Sequence, residues 1–239
     1  MDFENRTIYE PELPECLKEL INKFKPNVNG MNLDLSSMDQ LFMQQLNIAG
    51  NTLDFFNNQG EYGFRFKTEV LPNNLNAETR ASFKTVNGVK KYTGITIVYN
   101  ELYINRATDL GLAKTTVHEL VHAYLFYVMD KDEVSSLGEL LDDYLQDLTP
   151  NQAQHQIMSE QFAGAIANAI ESYDNSANLH VEYDYLSWSG AMARSTKFLL
   201  MPQDFQQKAE QRNAAEEGRE TIDPSLPNIS PIGVNDCQI

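Results

Sequence analysis

The chain has 239 residues, 42% of them hydrophobic, and a formal net charge of −16. This is an ordinary globular composition, long enough for one sizeable core. The acidic balance argues against nucleic acid as a partner, because phosphate binding needs clustered Lys and Arg. No run approaches 18 apolar residues, so we expect no membrane insertion, and the acidic segment Met1–Asn5 is not a signal peptide.

The first half of the chain is predicted to form two helices and then a small antiparallel sheet. Apolar residues at helical spacing predict helices at 13–25 and 37–58. Residues of alternating polarity predict three strands, at 63–70, 79–86 and 89–99. Asn87-Gly88 is a strong signal for a two-residue hairpin, so the last two strands should be antiparallel neighbours.

The second half is predicted to be almost entirely helical. One helix surrounds residues 112–131, and four further helical segments follow, at 136–146, 150–173, 183–201 and 203–220. Thr149 and Pro150 are favourable residues for the start of the longest of these. The segment after Glu220 contains three prolines and no periodicity. We therefore predict one domain, 1–220, followed by an irregular tail, 221–239.

The most informative feature is the pentapeptide His118-Glu119-Leu120-Val121-His122, which has the pattern H-E-x-x-H. On a helix its two imidazoles lie on one face and can bind one metal ion, while Glu119 can take a proton from a metal-bound water. A chance occurrence is the alternative, but it would bury a glutamate on a strongly apolar helix without compensation. The pattern predicts a hydrolase with Zn²⁺ as its cofactor.

A catalytic zinc site needs a third protein ligand besides the two histidines of the motif. His155 is the first candidate, because it lies on the apolar stripe of the predicted helix 150–173. Glu160 is the second, on a face of small residues about 140° away. His155 could instead be a core histidine bonded to the backbone, and His180, in a loop-like stretch, is expected at the surface.

The two cysteines of the chain, Cys16 and Cys237, lie near its opposite ends. They are either two unrelated thiols or a disulfide that ties the tail to the first helix. A disulfide would indicate an oxidising compartment. We therefore expect a secreted or exported protein, released as part of a larger one, with a cytoplasmic location as the alternative.

Three segments, 107–125, 154–158 and Leu186–Gly190, resemble SprT-like bacterial zinc metallopeptidases, and the resemblance covers about residues 95–200. Some such domains lie at the C-termini of large secreted or toxin-like proteins. The resemblance implies a zincin-like α+β fold, peptide or protein substrates, and three zinc ligands, His118, His122 and His155. Better-known relatives act on DNA-bound proteins and carry basic or zinc-ribbon extensions. This sequence has neither, so we do not expect a role in DNA repair.

We predict a zinc metallopeptidase with Glu119 as its general base. The strand beside the cleft of a zincin can pair with an extended peptide, and Ile95–Ile104 is our candidate for it. A second donor to the oxyanion is also needed, with four candidates: Tyr124, Tyr183, Tyr185 and Trp188. Two other functions stay open, a non-catalytic binding module stabilised by metal and a metallo-amidase acting on cell-wall peptides.

Overall fold

A computed structural model describes residues 7–24, 52–53, 63–86, 89–130, 143–175 and 178–237. Strand β1 (Thr7–Tyr9) and helix α1 (Glu15–Lys23) come first. Helix α1 buries Leu17, Leu20 and Ile21 on one face, which confirms the helix predicted at 13–25. The helix predicted at 37–58 lies outside the described residues, apart from residues 52–53, which are helical.

Among the described residues the central sheet has four strands, and it is mixed rather than antiparallel. β1 is joined by three further strands, β2 (Gly63–Glu69), β3 (Ala77–Val86) and β4 (Val89–Asn100), in the order β1-β2-β4-β3. β1 and β2 are parallel, β2 and β4 are parallel, and only β3 runs antiparallel to β4. The predicted hairpin is confirmed. The prediction of an antiparallel sheet was wrong, because a hairpin signal does not determine the direction of the strand on the other side of β4.

Strand β4 is paired on both edges, with β2 and with β3, so the prediction that Ile95–Ile104 pairs with an extended peptide was wrong. Residues Ile97, Val98 and Tyr99 of β4 are all fully buried, as expected of a strand that is covered on both faces. The last part of the predicted strand is a short helix, α2 (Glu101–Ile104). Strand β3 is the outer strand on this side of the described sheet.

Helix α3 (Asp109–Asp130) carries the H-E-x-x-H motif and packs against β3, β4 and α1. It is apolar on most of its surface, as expected for a helix inside the core. Its fully buried apolar residues are Leu112, Ala113, Val117, Leu120, Val121, Ala123 and Leu125. The Tyr99 hydroxyl lies 2.8 Å from the Thr116 hydroxyl, and the Tyr103 hydroxyl donates to the Gly111 carbonyl at 2.6 Å. The first bond holds α3 against the sheet, and the second holds it against α2.

The long helix predicted at 150–173 is present, but a π-helical turn interrupts it. It consists of α4 (Pro150–Ile157), the π turn Met158–Phe162, and α5 (Ala163–Asp174). Thr149 caps its start in a reciprocal capping box with Gln152, as the sequence predicted for the N-cap. Of the acidic helix predicted at 136–146, residues 136–142 lie outside the described part of the chain.

The prediction of one continuous helix at 183–201 was wrong. The chain instead forms α6 (His180–Ser187), a 3₁₀ turn at Gly190–Arg194, and α7 (Thr196–Leu199). The backbone leaves the helical conformation at Trp188 (φ −94°, ψ 68°) and Ser189 (φ −112°, ψ 161°), and Gly190, with a positive φ of 56°, then begins the 3₁₀ turn. Helix α8 (Gln203–Glu216) follows.

The described residues after α8, up to Cys237, form no regular element, as predicted, yet they are held tightly. Cys237 forms a disulfide with Cys16, with Cα atoms 5.4 Å apart, so of the two alternatives left open by the sequence the structure has the bridge. The backbone N–H groups of Ile232 and Gly233 donate to the buried carboxylate of Glu216. The tail therefore packs against the core and against α1.

The described elements make an α+β fold in which a mixed sheet packs against α3, and α5 packs against α3 as well. None of the described helices is long and apolar enough to cross a membrane.

Candidate metal centre and cleft

Three histidines converge between α3 and α4. His118 and His122 lie one turn apart on α3, and His155 lies on α4. One nitrogen from each ring lies within 4.8 Å of the others, and the residues are 8%, 6% and 9% exposed. The structure thus brings together the three residues that the sequence predicted as metal ligands.

Hydrogen bonds at the outer nitrogens set the tautomers of two of these rings. His155 Nδ1 lies 2.7 Å from the Asn151 carbonyl oxygen, which can only accept, so His155 Nδ1 carries the proton and Nε2 carries a lone pair. His122 Nδ1 lies 2.7 Å from Gln154 Oε1, which gives His122 the same tautomer. Such outer bonds to a carbonyl or amide oxygen are the usual support for metal-binding histidines.

The inner nitrogens have the spacing that a shared metal ion requires. His122 Nε2 and His155 Nε2 are 3.2 Å apart. Two nitrogens bound to one tetrahedral ion at about 2.0–2.1 Å lie roughly 3.3 Å from each other. Two lone pairs at this distance repel unless a cation lies between them, so the donor set fits a metal ion. His118 Nδ1 is buried and has no hydrogen-bond partner among the described residues.

The charge state of the cluster also fits a metal site. Burial lowers the pKa of His118, His122 and His155. The pKa of His122 falls to about 3, through burial and the neighbouring His155. The three rings are therefore neutral at neutral pH. Neutral imidazole is the form that binds a metal ion, so no proton has to be displaced first.

Glu119 follows His118 on α3 and lines the same cleft as the three histidines. The Glu119 side chain is buried, and burial raises the pKa of its carboxyl group to about 7. The hydrogen bond from Thr79 lowers this pKa but does not outweigh burial. The Thr79 hydroxyl lies 2.7 Å from Glu119 Oε2 and 3.0 Å from the Glu119 carbonyl oxygen. A carboxyl group with a pKa near neutrality can both accept and release a proton at physiological pH.

These side chains open into a cleft of about 1260 Å³. Five residues of α3 line it, at helical spacing: Thr115, His118, Glu119, His122 and Phe126. The eleven residue steps from Thr115 to Phe126 span about 16 Å along the helix. An extended chain rises about 3.3 Å per residue, so this wall is long enough for about five residues of a peptide. The cleft therefore has room for a polypeptide segment on either side of the histidines.

The other walls of the cleft come from segments that are far apart in sequence. One wall is the start of β3, including Ala77 and Thr79, with the preceding turn at 73–76. Trp188 and the 3₁₀ turn after it form another, and the first residues of the tail, including Ile222, form a third. The tail and the edge strand thus both contribute to the cleft.

The two other candidate ligands lie outside the cluster. Glu160 accepts hydrogen bonds from the Tyr144 hydroxyl and from Gln156. The side chain of His180 is half exposed and bonds to Glu171, which confirms the prediction of a surface imidazole. Neither residue belongs to the group of side chains that could share a metal ion with His118.

Of the four candidate oxyanion donors, Trp188 lines the cleft and the three tyrosines are not among its described lining residues. The Tyr183 hydroxyl donates to Asp174, the Tyr185 ring packs against Phe205, and the Tyr124 ring packs against Phe162. These contacts indicate that the three tyrosines are packing residues rather than donors to the oxyanion.

Sequence reasoning missed Thr79 and Gln154, the side chains that hold Glu119 and His122. Thr79 lies 40 residues before Glu119 on another element, and no local pattern connects the two. Gln154 could have been found, because it precedes His155 on a helix predicted to face the motif.

Comparisons with protein-family models, with curated proteins and with solved structures find no match to this chain. The resemblance to SprT-like metallopeptidases therefore stays a prediction from the residues. A functional assignment therefore rests on three features of the structure. The first is the group of three buried histidines, which are close enough to bind a metal ion. The others are the buried Glu119 and the cleft around these residues.

Proposed function

We propose that the protein is a zinc-dependent metallopeptidase with a zincin-like site. The observation that carries the proposal is the convergence of His118, His122 and His155 beside Glu119 in one cleft. Three neutral imidazoles form a donor set that suits zinc, and in catalytic zinc sites a fourth position stays open for water or substrate. A purely structural site has no use for a carboxyl group held next to it with a pKa near 7.

The chain's own residues supply the rest of the proposed chemistry. Bound zinc would lower the pKa of a water molecule towards about 7 and polarise the scissile carbonyl. Glu119 accepts the proton of the attacking water and passes it to the leaving amine, so that the carboxyl group ends the cycle as it began. Gln154 and the Asn151 carbonyl hold His122 and His155 in the tautomers that bind metal. The indole N–H of Trp188 is the candidate donor to the oxyanion.

The proposed substrate is an extended segment of protein or peptide. The start of β3 lines the cleft, and β3 is the outer strand of the described sheet on this side. The free edge of an outer strand offers backbone groups that can pair with an extended chain. We therefore assign to β3 the peptide-pairing role that was predicted for Ile95–Ile104. The disulfide supports action in an oxidising location, after export.

The test compares wild-type protein with the Glu119→Gln variant for zinc content and for cleavage of an unfolded protein substrate. Gln cannot accept the water proton, so the variant should keep its zinc and lose about 10²–10⁴-fold in rate. Glu160→Gln is the matched control and should keep both zinc and activity, because Glu160 lies outside the cluster. Wild-type activity in Glu119→Gln would overturn the role of the base. Cleavage of cell-wall peptides without cleavage of proteins would favour a metallo-amidase.

A further inference from the structure

We propose that Thr79, on the edge strand β3, is the residue that positions the general base. The inference rests on the proposed function, because Glu119 is a base only if the site hydrolyses its substrate. It adds a residue outside the motif and outside the metal ligands. It also assigns a second role to the strand that we propose for peptide pairing.

The contact between Thr79 and Glu119 joins the sheet to the metal helix at the reacting group. The Thr79 hydroxyl donates to Glu119 Oε2 at 2.7 Å and also lies 3.0 Å from the Glu119 carbonyl oxygen. Its position is well fixed, because Thr79 is paired in register with Ile97 of the central strand and Ile97 is fully buried. A β-branched side chain in a strand also has restricted χ1 rotation.

This hydrogen bond has a direct consequence for proton transfer. A carboxylate at the end of a glutamate side chain can rotate, and only some orientations direct an oxygen at the attacking water. Thr79 holds Oε2, and no hydrogen bond joins Oε1 to another described residue. Oε1 is therefore the oxygen left to accept the proton, in an orientation set by Thr79.

The same residue couples the base to the substrate. Thr79 lies in the part of β3 that lines the cleft, so a peptide that pairs with β3 contacts the backbone of the residue whose side chain holds Glu119. The register of the peptide and the position of the base are then set by one element. An arrangement of this kind orients the reacting groups before the chemical step, which affects kcat more than substrate affinity.

A matched pair of substitutions separates this role from a merely structural one. Thr79→Val keeps the shape and removes the hydroxyl, whereas Thr79→Ser keeps the hydroxyl. We expect Thr79→Val to keep its zinc and its KM and to lose about 10–100-fold in kcat. Thr79→Ser should recover most of that loss. Thr85→Val, an exposed threonine on the same strand, is the control and should behave like wild type. Full kcat in Thr79→Val, or no recovery in Thr79→Ser, would overturn the proposal.

A thermal unfolding cycle tests the contact without any measurement of activity. Thr79→Val should lower the melting temperature of the protein, and the shift should be clearly smaller when Glu119 is already Ala, because the carboxylate partner is then missing. Equal shifts in the two backgrounds would refute a Thr79–Glu119 bond. If the wild type cleaves no peptide, the proposed function fails, while this cycle still decides whether Thr79 holds the carboxylate.

Discussion

Removal of the Cys16–Cys237 disulfide should lower the free energy of unfolding by several kcal/mol. The bridge joins residues that are 221 positions apart, so it closes a very long loop in the unfolded chain. In the chain-entropy description, a loop of this length corresponds to about 5 kcal/mol. That is a large part of the roughly 5–15 kcal/mol that stabilises a typical folded domain.

The structure indicates how the folded state should respond. The tail keeps hydrogen bonds that do not depend on the bridge, from Ile232 and Gly233 to Glu216 and from Val234 to Asp109. Without the disulfide the tail should therefore stay docked in native conditions. Most of the loss should come from the greater freedom of the unfolded chain, so cleft geometry and zinc content should change little.

The assay is guanidinium unfolding followed by circular dichroism, for wild type, Cys16→Ser, Cys237→Ser, and wild type with dithiothreitol. The two variants and the reduced wild type should have similar, lowered unfolding free energies, and reductant should not lower the unfolding free energy of either variant any further. A loss of less than about 1 kcal/mol would refute the reasoning, since it would lie within the range of ordinary substitutions. Two free thiols in the intact mass of non-reduced protein would refute the bridge itself.

Two further predictions concern the ligand set and a buried ion pair beside it. His155→Ala should lose zinc while His180→Ala keeps it, as measured by elemental analysis, and full zinc in His155→Ala would remove His155 from the ligand set. Burial raises the pKa of Glu217, but the charges of Lys114 and Arg219 outweigh burial and hold that pKa below its usual value of 4.5. The stability that this carboxylate contributes is therefore complete above pH 4.5 and lost as the pH falls through the lower folded value. Glu217→Gln should be less stable than wild type by about 3–5 kcal/mol at pH 7, because Lys114 stays buried without this partner. The variant should also lose less stability than wild type as the pH falls. Equal pH dependence of the two proteins in denaturant titrations would contradict the assignment.

The candidate metal centre could be predicted well because its information is local. The spacing of His118 and His122 fixes a shared helix face, and the apolar residues around His155 place it on the inner side of the next long helix. The structure then brings the three rings together. Periodicity carries this kind of information because it depends only on which residues a helix buries.

The features that could not be predicted depend on contacts between distant segments. Thr79 reaches Glu119 only because β3 is the outer strand beside α3. The order of strands in a sheet cannot be predicted from the residues of any one strand. The π turn after Ile157 was also missed, since one extra residue per turn leaves no local composition signal. The break after Ser187 had a nearby signal, Gly190, at which the next turn begins with a positive φ.

The strand order of the sheet also has a consequence for the order in which the protein folds. Only two residues separate β3 from β4 in the sequence, and Val86 pairs directly with Val89, so this hairpin can form within about 1–10 μs. β2 and β4 pair across the whole hairpin, from Gly63 to Gly94, and β1 and β2 pair across a still longer loop, from Thr7 to Phe64. Longer loops close at a greater cost in entropy, so β2 should join after the hairpin and β1 last. Substitutions that weaken the hairpin should therefore slow folding, whereas substitutions in β1 should mainly speed unfolding.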